Sequence, residues 1–150
     1  YDYPANLFVA GFIGSPQMNF FDVKLSKENG KVYASFGENK ILVPDEKVAK
    51  FIDPEYCNKE VILGVRPEDI DDNAEFLQKH ADTVIDVDVD VVELMGSETY
   101  LYLRTTGREG TFIARVDPRS VSRVGDKIKV AFDGEQLHFF DRETEMTILR

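Results

Sequence analysis

The chain has 150 residues, enough for one domain with a real core or two small halves sharing one. With 43% hydrophobic and 31% charged residues it has the composition of a globular protein rather than a disordered one. A formal net charge of −10 repels phosphate backbones and acidic lipid headgroups, which argues against general binding to nucleic acid or to a membrane surface. Cys57 stands alone, so no intrachain disulfide can form and a reducing compartment fits. No apolar run reaches the roughly 18 residues of a membrane span. The first residue is Tyr1, not methionine, which suggests a processed start or a piece of a longer chain; Tyr1-Asp2-Tyr3-Pro4 lacks the basic region of a signal peptide.

The first segment reads as a helix. Pro4 suits a first turn, and the pairs Phe8/Phe12 and Val9/Ile13 lie four apart, forming adjacent apolar rows. Gly14-Ser15-Pro16 ends it. Almost wholly apolar from Leu7 to Ile13, it has the character of a connector between two bodies. From Met18 the pattern turns to strands: 20–25, a hairpin turn at Glu28-Asn29-Gly30-Lys31, then 32–36 and 41–43. Pro44 opens a short helix carrying Val48, Phe51 and Ile52, stopped by Asp53-Pro54. Residues 60–65 form a compact strand ending in Arg66-Pro67-Glu68-Asp69-Ile70. Residues 71–82 are polar, a loop with a helical turn and the best candidate for a boundary between two β subregions. The clearest strand is 84–94, where Ile85, Val87, Val89 and Val91 alternate with Asp86, Asp88 and Asp90. Its phase shifts after Val91, as a bulge or burial on both faces would produce. Strands at 99–103, 111–116, 127–132 and 136–140 follow, with glycines between them. Short strands with frequent turns predict a closed or partly closed β-barrel.

No catalytic apparatus is visible. Asp86-Val87-Asp88-Val89-Asp90 lacks the glycine and glutamate that a calcium loop needs at its sixth and twelfth positions, so it reads as a solvated strand face. His80 and His138 sit in no metal-spaced cluster. Carboxylate pairs such as Glu68 and Asp69 leave acid–base chemistry unsupported, and no glycine-rich phosphate loop ending in Lys-Ser/Thr occurs. Two segments at strand ends stand out as contact surfaces: Arg66-Pro67-Glu68-Asp69, otherwise a local salt bridge, and Leu94-Met95-Gly96-Ser97-Glu98, otherwise a tight turn.

Several segments in order carry a resemblance. Residues 3–20, YPANLFVAGFIGSPQMNF, resemble the junction helix that follows the nucleotide-binding lobe in maltose-type ATPase subunits. Leu63-Gly64-Val65-Arg66-Pro67-Glu68 resembles the later Gly-Ile/Val-Arg-Pro-Glu motif of that family. Residues 91–99 resemble the Leu-Gly-x-Glu turn of the transport-associated OB (TOBE) domain, with Met95 inserted between Leu94 and Gly96. Val124-Gly125-Asp126-Lys127 and His138-Phe139-Phe140-Asp141 resemble its closing strands; where the family often has Thr-Gly after them, Thr144 is followed here by Glu145. The resemblance implies a mainly β, OB-like (TOBE/MOP-like) barrel with a short N-terminal helix and one or two minor helices. Residues 1–16 would be the junction helix and 17–150 the regulatory domain of the ATP-binding subunit of an ABC-type carbohydrate importer.

It further implies that this segment is non-catalytic, that ATP and Mg belong to an absent ATPase lobe, and that the segment helps hold two ATPase subunits together as a homodimer; the contact residues expected, from their position at strand ends, are Arg66, Glu68, Gly96, Ser97 and Glu98. Transporter membrane subunits and a regulatory protein would be its other partners, and it would lie in the cytoplasm at the inner face of the membrane without inserting. Nucleic acid is not an expected partner. The alternative is a stand-alone OB module binding a small oxyanion or an oligonucleotide.

Overall fold

The computed structural model describes residues 5–12 and 17–150. The expected junction helix over 1–16 therefore lies partly outside the described residues; its described part is α1 (Leu7–Phe12). Ten strands follow: β1 (Asn19–Glu28), β2 (Lys31–Phe36), β3 (Asn39–Val43), β4 (Glu60–Val65), β5 (Ile70–Asp71), β6 (Val84–Leu94), β7 (Thr99–Arg104), β8 (Phe112–Val116), β9 (Lys127–Phe132) and β10 (His138–Asp141). The minor helices are α2 (Asp45–Val48) and α3 (Ala74–Lys79), the latter capped by the Asn73 side chain, which accepts from the Glu75 and Phe76 amides. The barrel-like, mainly β architecture matches the expectation.

The strands form two antiparallel five-stranded sheets, ordered β10-β4-β1-β2-β3 and β5-β9-β6-β7-β8. Between them, inward side chains alternate with outward ones: Phe21, Val23 and Leu25 on β1 face Leu101, Leu103, Phe112 and Val130 across the core. Phe21 is central, with ring centroids 5.2 Å from Phe36, 5.1 Å from Phe112 and 5.6 Å from Phe132. The spatial division falls at the turn after β4, ahead of the polar stretch 71–82, and β10 returns to the first sheet. The described part of α1 has a partner within the chain: Ala10 and Leu7 pack on the outer side of that sheet with Met18, Phe20, Ile62 and Phe140.

The Asn29-Gly30 hairpin turn has φ values of 53° and 80°, as the sequence predicts. The phase shift in β6 is a bulge: register with β7 slips between Val89 and Val91. Bonds from Val89 N to Asp126 O (2.9 Å) and Gly125 N to Val89 O (2.8 Å) anchor the β8–β9 loop beside it. Arg108 straps the sheets together, its Nε donating to Phe20 O at 2.9 Å and its guanidinium lying 5.2 Å from the Phe21 ring centroid. The last turn is held by Asp141, whose Oδ1 accepts from the amides of Glu143 and Thr144, and it places Glu145 at φ 62°.

Candidate contact face

The strand β4 runs out of the core into Arg66, whose extended backbone feeds a single 3-10 turn over Pro67–Asp69. Pro67 presets that turn. Arg66 is 4% exposed, Glu68 is half-buried, and the turn packs on β8. Burial together with the neighbouring Glu68 and Asp133 carboxylates raises Asp69 to about 7, partly offset by Arg66 and Arg115.

The other predicted segment is the β6–β7 hairpin tip. Met95 N donates to Glu98 O at 2.9 Å, Gly96 takes φ 85°, and Gly96 and Ser97 are exposed. Glu98 lies 3.4 Å from Arg115 Nε and accepts from the Tyr100 hydroxyl at 3.2 Å. Arg115 on β8 thus stands between the two predicted segments: it pairs with Glu98 and acts on Asp69 of the turn. Neither Arg115 nor the tyrosines of β7 emerged from the sequence; the pair Tyr100/Tyr102, two apart on a strand, was the available signal that both lie on one face.

On that outer face, cross-strand register places Glu93, Tyr100 and Arg115 in one row and Val91, Tyr102 and Ile113 in the next. The Tyr102 hydroxyl donates to Glu93 at 3.2 Å. Beyond the bulge the same face changes character. Asp86, Asp88 and Asp90 are paired to Lys129 (2.6 Å), Lys127 (2.9 Å) and Arg104 (2.7 Å), an ion-pair ladder of the solvated kind the alternation predicts.

A groove of about 670 Å³ is lined by Asp71, Asp72, Asp117, Arg119, Ser120 and Ser122 among others. The hydroxyls of Ser120 and Ser122 both donate to Asp72, so an entering oxyanion would meet a carboxylate and two hydroxyls already engaged. Among the described residues no His/Cys/Asp/Glu group could hold a metal, and no helix is long and apolar enough to cross a membrane. His80 lies against Phe76 with ring centroids 4.4 Å apart, and His138 is buried on β10.

A family model described as the MalK OB fold domain matches residues 14–70, and one described as the TOBE domain matches residues 63–140. The oligosaccharides import ATP-binding protein MsmX of Bacillus subtilis is 42% identical over 99% of this chain, which covers 39% of that protein. The multiple sugar-binding transport ATP-binding protein MsmK of Streptococcus mutans is 43% identical over 99% of the chain and 38% of its own length. The trehalose/maltose import ATP-binding protein MalK of Thermococcus litoralis is 37% identical, covering 99% and 39% respectively. The chain thus spans about two fifths of the length of these relatives. A solved structure of the cytoplasmic molybdate-binding protein ModG with molybdate bound shares the fold, with a TM-score of 0.60 over 81% of this chain and 94% of that one, at 16% identity. With two sheets closing on one core and the TOBE model covering more than half of the sequence, the chain belongs to the TOBE-domain family.

Proposed function

We propose that this chain is the regulatory and self-association segment of the ATP-binding subunit of an ABC-type carbohydrate importer and performs no catalytic step itself. The observation that carries the reading is the match of nearly the whole chain to about two fifths of import ATP-binding proteins. In the parent subunit the remaining length would bind ATP and Mg and drive sugar uptake through membrane subunits, at the inner face of the membrane. A contact that persists while the nucleotide lobes open and close keeps two subunits at high effective concentration through the cycle. A regulatory protein that halts transport would find its docking surface on the same segment.

The contact residues proposed are Arg66, Glu68, Gly96, Ser97 and Glu98. Glu98 is the informative one to reverse. Arg66 is so deeply buried that its reversal would disturb the fold as well. Sedimentation equilibrium of the 150-residue chain should show a concentration-dependent dimer that Glu98→Arg weakens, and the chain should not hydrolyse ATP. A monomer at every concentration would remove the self-association role; sustained ATP turnover would overturn the non-catalytic one.

A further inference from the structure

The lysines of this chain occupy distinct environments. Those on the sheets are tied to carboxylates: Lys31 to Asp45 (2.8 Å), Lys40 to Glu28 (2.8 Å), Lys127 to Asp88 (2.9 Å) and Lys129 to Asp86 (2.6 Å). Lys27, Lys50 and Lys79 are exposed. Lys47, on α2, differs from both groups. It is the one buried lysine, 8% exposed, and among the described residues its ammonium makes no ion pair and no hydrogen bond. Asp45, in the first turn of the same helix, is already engaged by Lys31.

The packing of α2 explains this environment. Gly134, in the connection from β9 to β10, lies against Pro44 at the start of the helix; a Cβ there would come within 3.0 Å of Pro44 Cγ. Asp133 and Glu135 are thereby brought into the field of Lys47, yet neither reaches it as an ion pair. Burial first, and then Lys50, hold the amine below the usual lysine pKa, partly offset by Asp133 and Glu135. The stem is covered while Nζ keeps an opening to solvent.

We propose that Lys47 is a modification site, acylated on Nζ by compact activated acyl donors of the acyl phosphate class ahead of the other lysines of the chain. The neutral amine attacks the acyl carbon. The bond from that carbon to the phosphate oxygen breaks, phosphate leaves with the electron pair, and the surplus proton on nitrogen passes to water. A desolvated amine with no carboxylate holding its proton is the better nucleophile near neutral pH. The paired lysines lack both conditions, and the exposed ones lack the desolvation. The product exchanges a poorly hydrated charge for a neutral amide. It also takes the cation away from Asp133 and Glu135, so the groove of about 360 Å³ that they line with Pro44 and Glu46 becomes more acidic. This inference is independent of self-association.

The test incubates the 150-residue chain with acetyl phosphate at low conversion and follows each lysine by peptide mass spectrometry. Lys47 should react about fivefold or more faster than Lys31, Lys40, Lys127 and Lys129, and faster than Lys27, Lys50 and Lys79 despite its burial. Glu135→Gln, an exposed change that removes one carboxylate favouring the ammonium, should raise the Lys47 rate about twofold and leave Lys27 unchanged. Lys47→Arg should remove the fast site and keep the far-ultraviolet circular dichroism of the original chain. Unfolding in urea should abolish the lead of Lys47. Rates that simply follow exposure, with Lys47 slowest, would overturn the proposal, as would a lead that persists in the unfolded chain.

Discussion

The side chain of Asn19 pairs with the backbone of Ile113 as a neighbouring strand would. Its Oδ1 accepts from Ile113 N at 2.9 Å and its Nδ2 donates to Ile113 O at 2.9 Å, with a further bond to Val65 O at 3.1 Å. One buried carboxamide thereby joins β1 of the first sheet to the open edge of β8 in the second. Asn19→Ala leaves an amide and carbonyls without these partners, and unsatisfied buried groups cost about 1–3 kcal/mol each. The expected loss is about 2–4 kcal/mol, read as a lower urea midpoint with little change in slope.

Gly37 and Gly107 bring two turns from different sheets into backbone contact. A Cβ on Gly37 would lie 2.3 Å from Thr106 C, and one on Gly107 would lie 2.1 Å from Gly37 N; both residues have positive φ. Alanine at either site must push the turns apart, and a loss of about 3 kcal/mol or more is expected, measured by thermal unfolding. Gly96→Ala, with positive φ but open space, should cost only about 1 kcal/mol and leaves the hairpin tip available for association tests.

Asp69 introduces a pH dependence whose sign follows from burial. The folded state holds this carboxyl up to about 7, above its unfolded value, so folding favours the protonated form. The contribution is fully present below about pH 4 and is lost as pH rises through 7. Asp69→Asn removes the charge, so the stability advantage of the variant over the original should grow between pH 5 and pH 8, by on the order of 1–2 kcal/mol after allowing for solvent screening of a half-buried group. Denaturant titrations at several pH values check it. An advantage that shrinks with pH would contradict it.

Glu145 sits at φ 62°, a conformation that glycine adopts without penalty. The family resemblance placed glycine near this point, and the turn keeps its geometry without one: Asp141 N donates to Met146 O at 2.8 Å and Glu145 N to Asp141 O at 2.9 Å. Glu145→Gly should stabilise by about 0.5–1 kcal/mol, seen as a raised Tm.

Much of this architecture is legible from local pattern. The Asn29-Gly30 turn, the strand at 84–94 and its phase shift, and the turn at Pro67 each follow from residues within a few positions. The boundary between sheets is not, because β5 is two residues long and has no periodicity to read. The return of β10 to the first sheet is a long-range pairing that no local window contains. Of the candidate contact face, Gly96 to Glu98 is readable as a turn between strong strands. The burial of Arg66 runs against the general habit of arginine. Arg115 gains its position between the two segments only when β8 packs beside the turn after β4.

The first sheet holds both the opening strand β1 and the closing strand β10, whose edge is covered by residues 146–148: Ile148 N donates to Phe139 O at 3.0 Å, and Asp141 N to Met146 O at 2.8 Å. During synthesis on a ribosome, β1 to β4 emerge early, yet their sheet lacks its last member until the end of this segment clears the exit tunnel. The apolar surface that Phe139, Phe140 and Ile148 cover stays open for that interval, a window in which chaperones or premature association compete with folding. Loss of residues 139–150 would therefore be far more damaging than their distance from any contact face suggests.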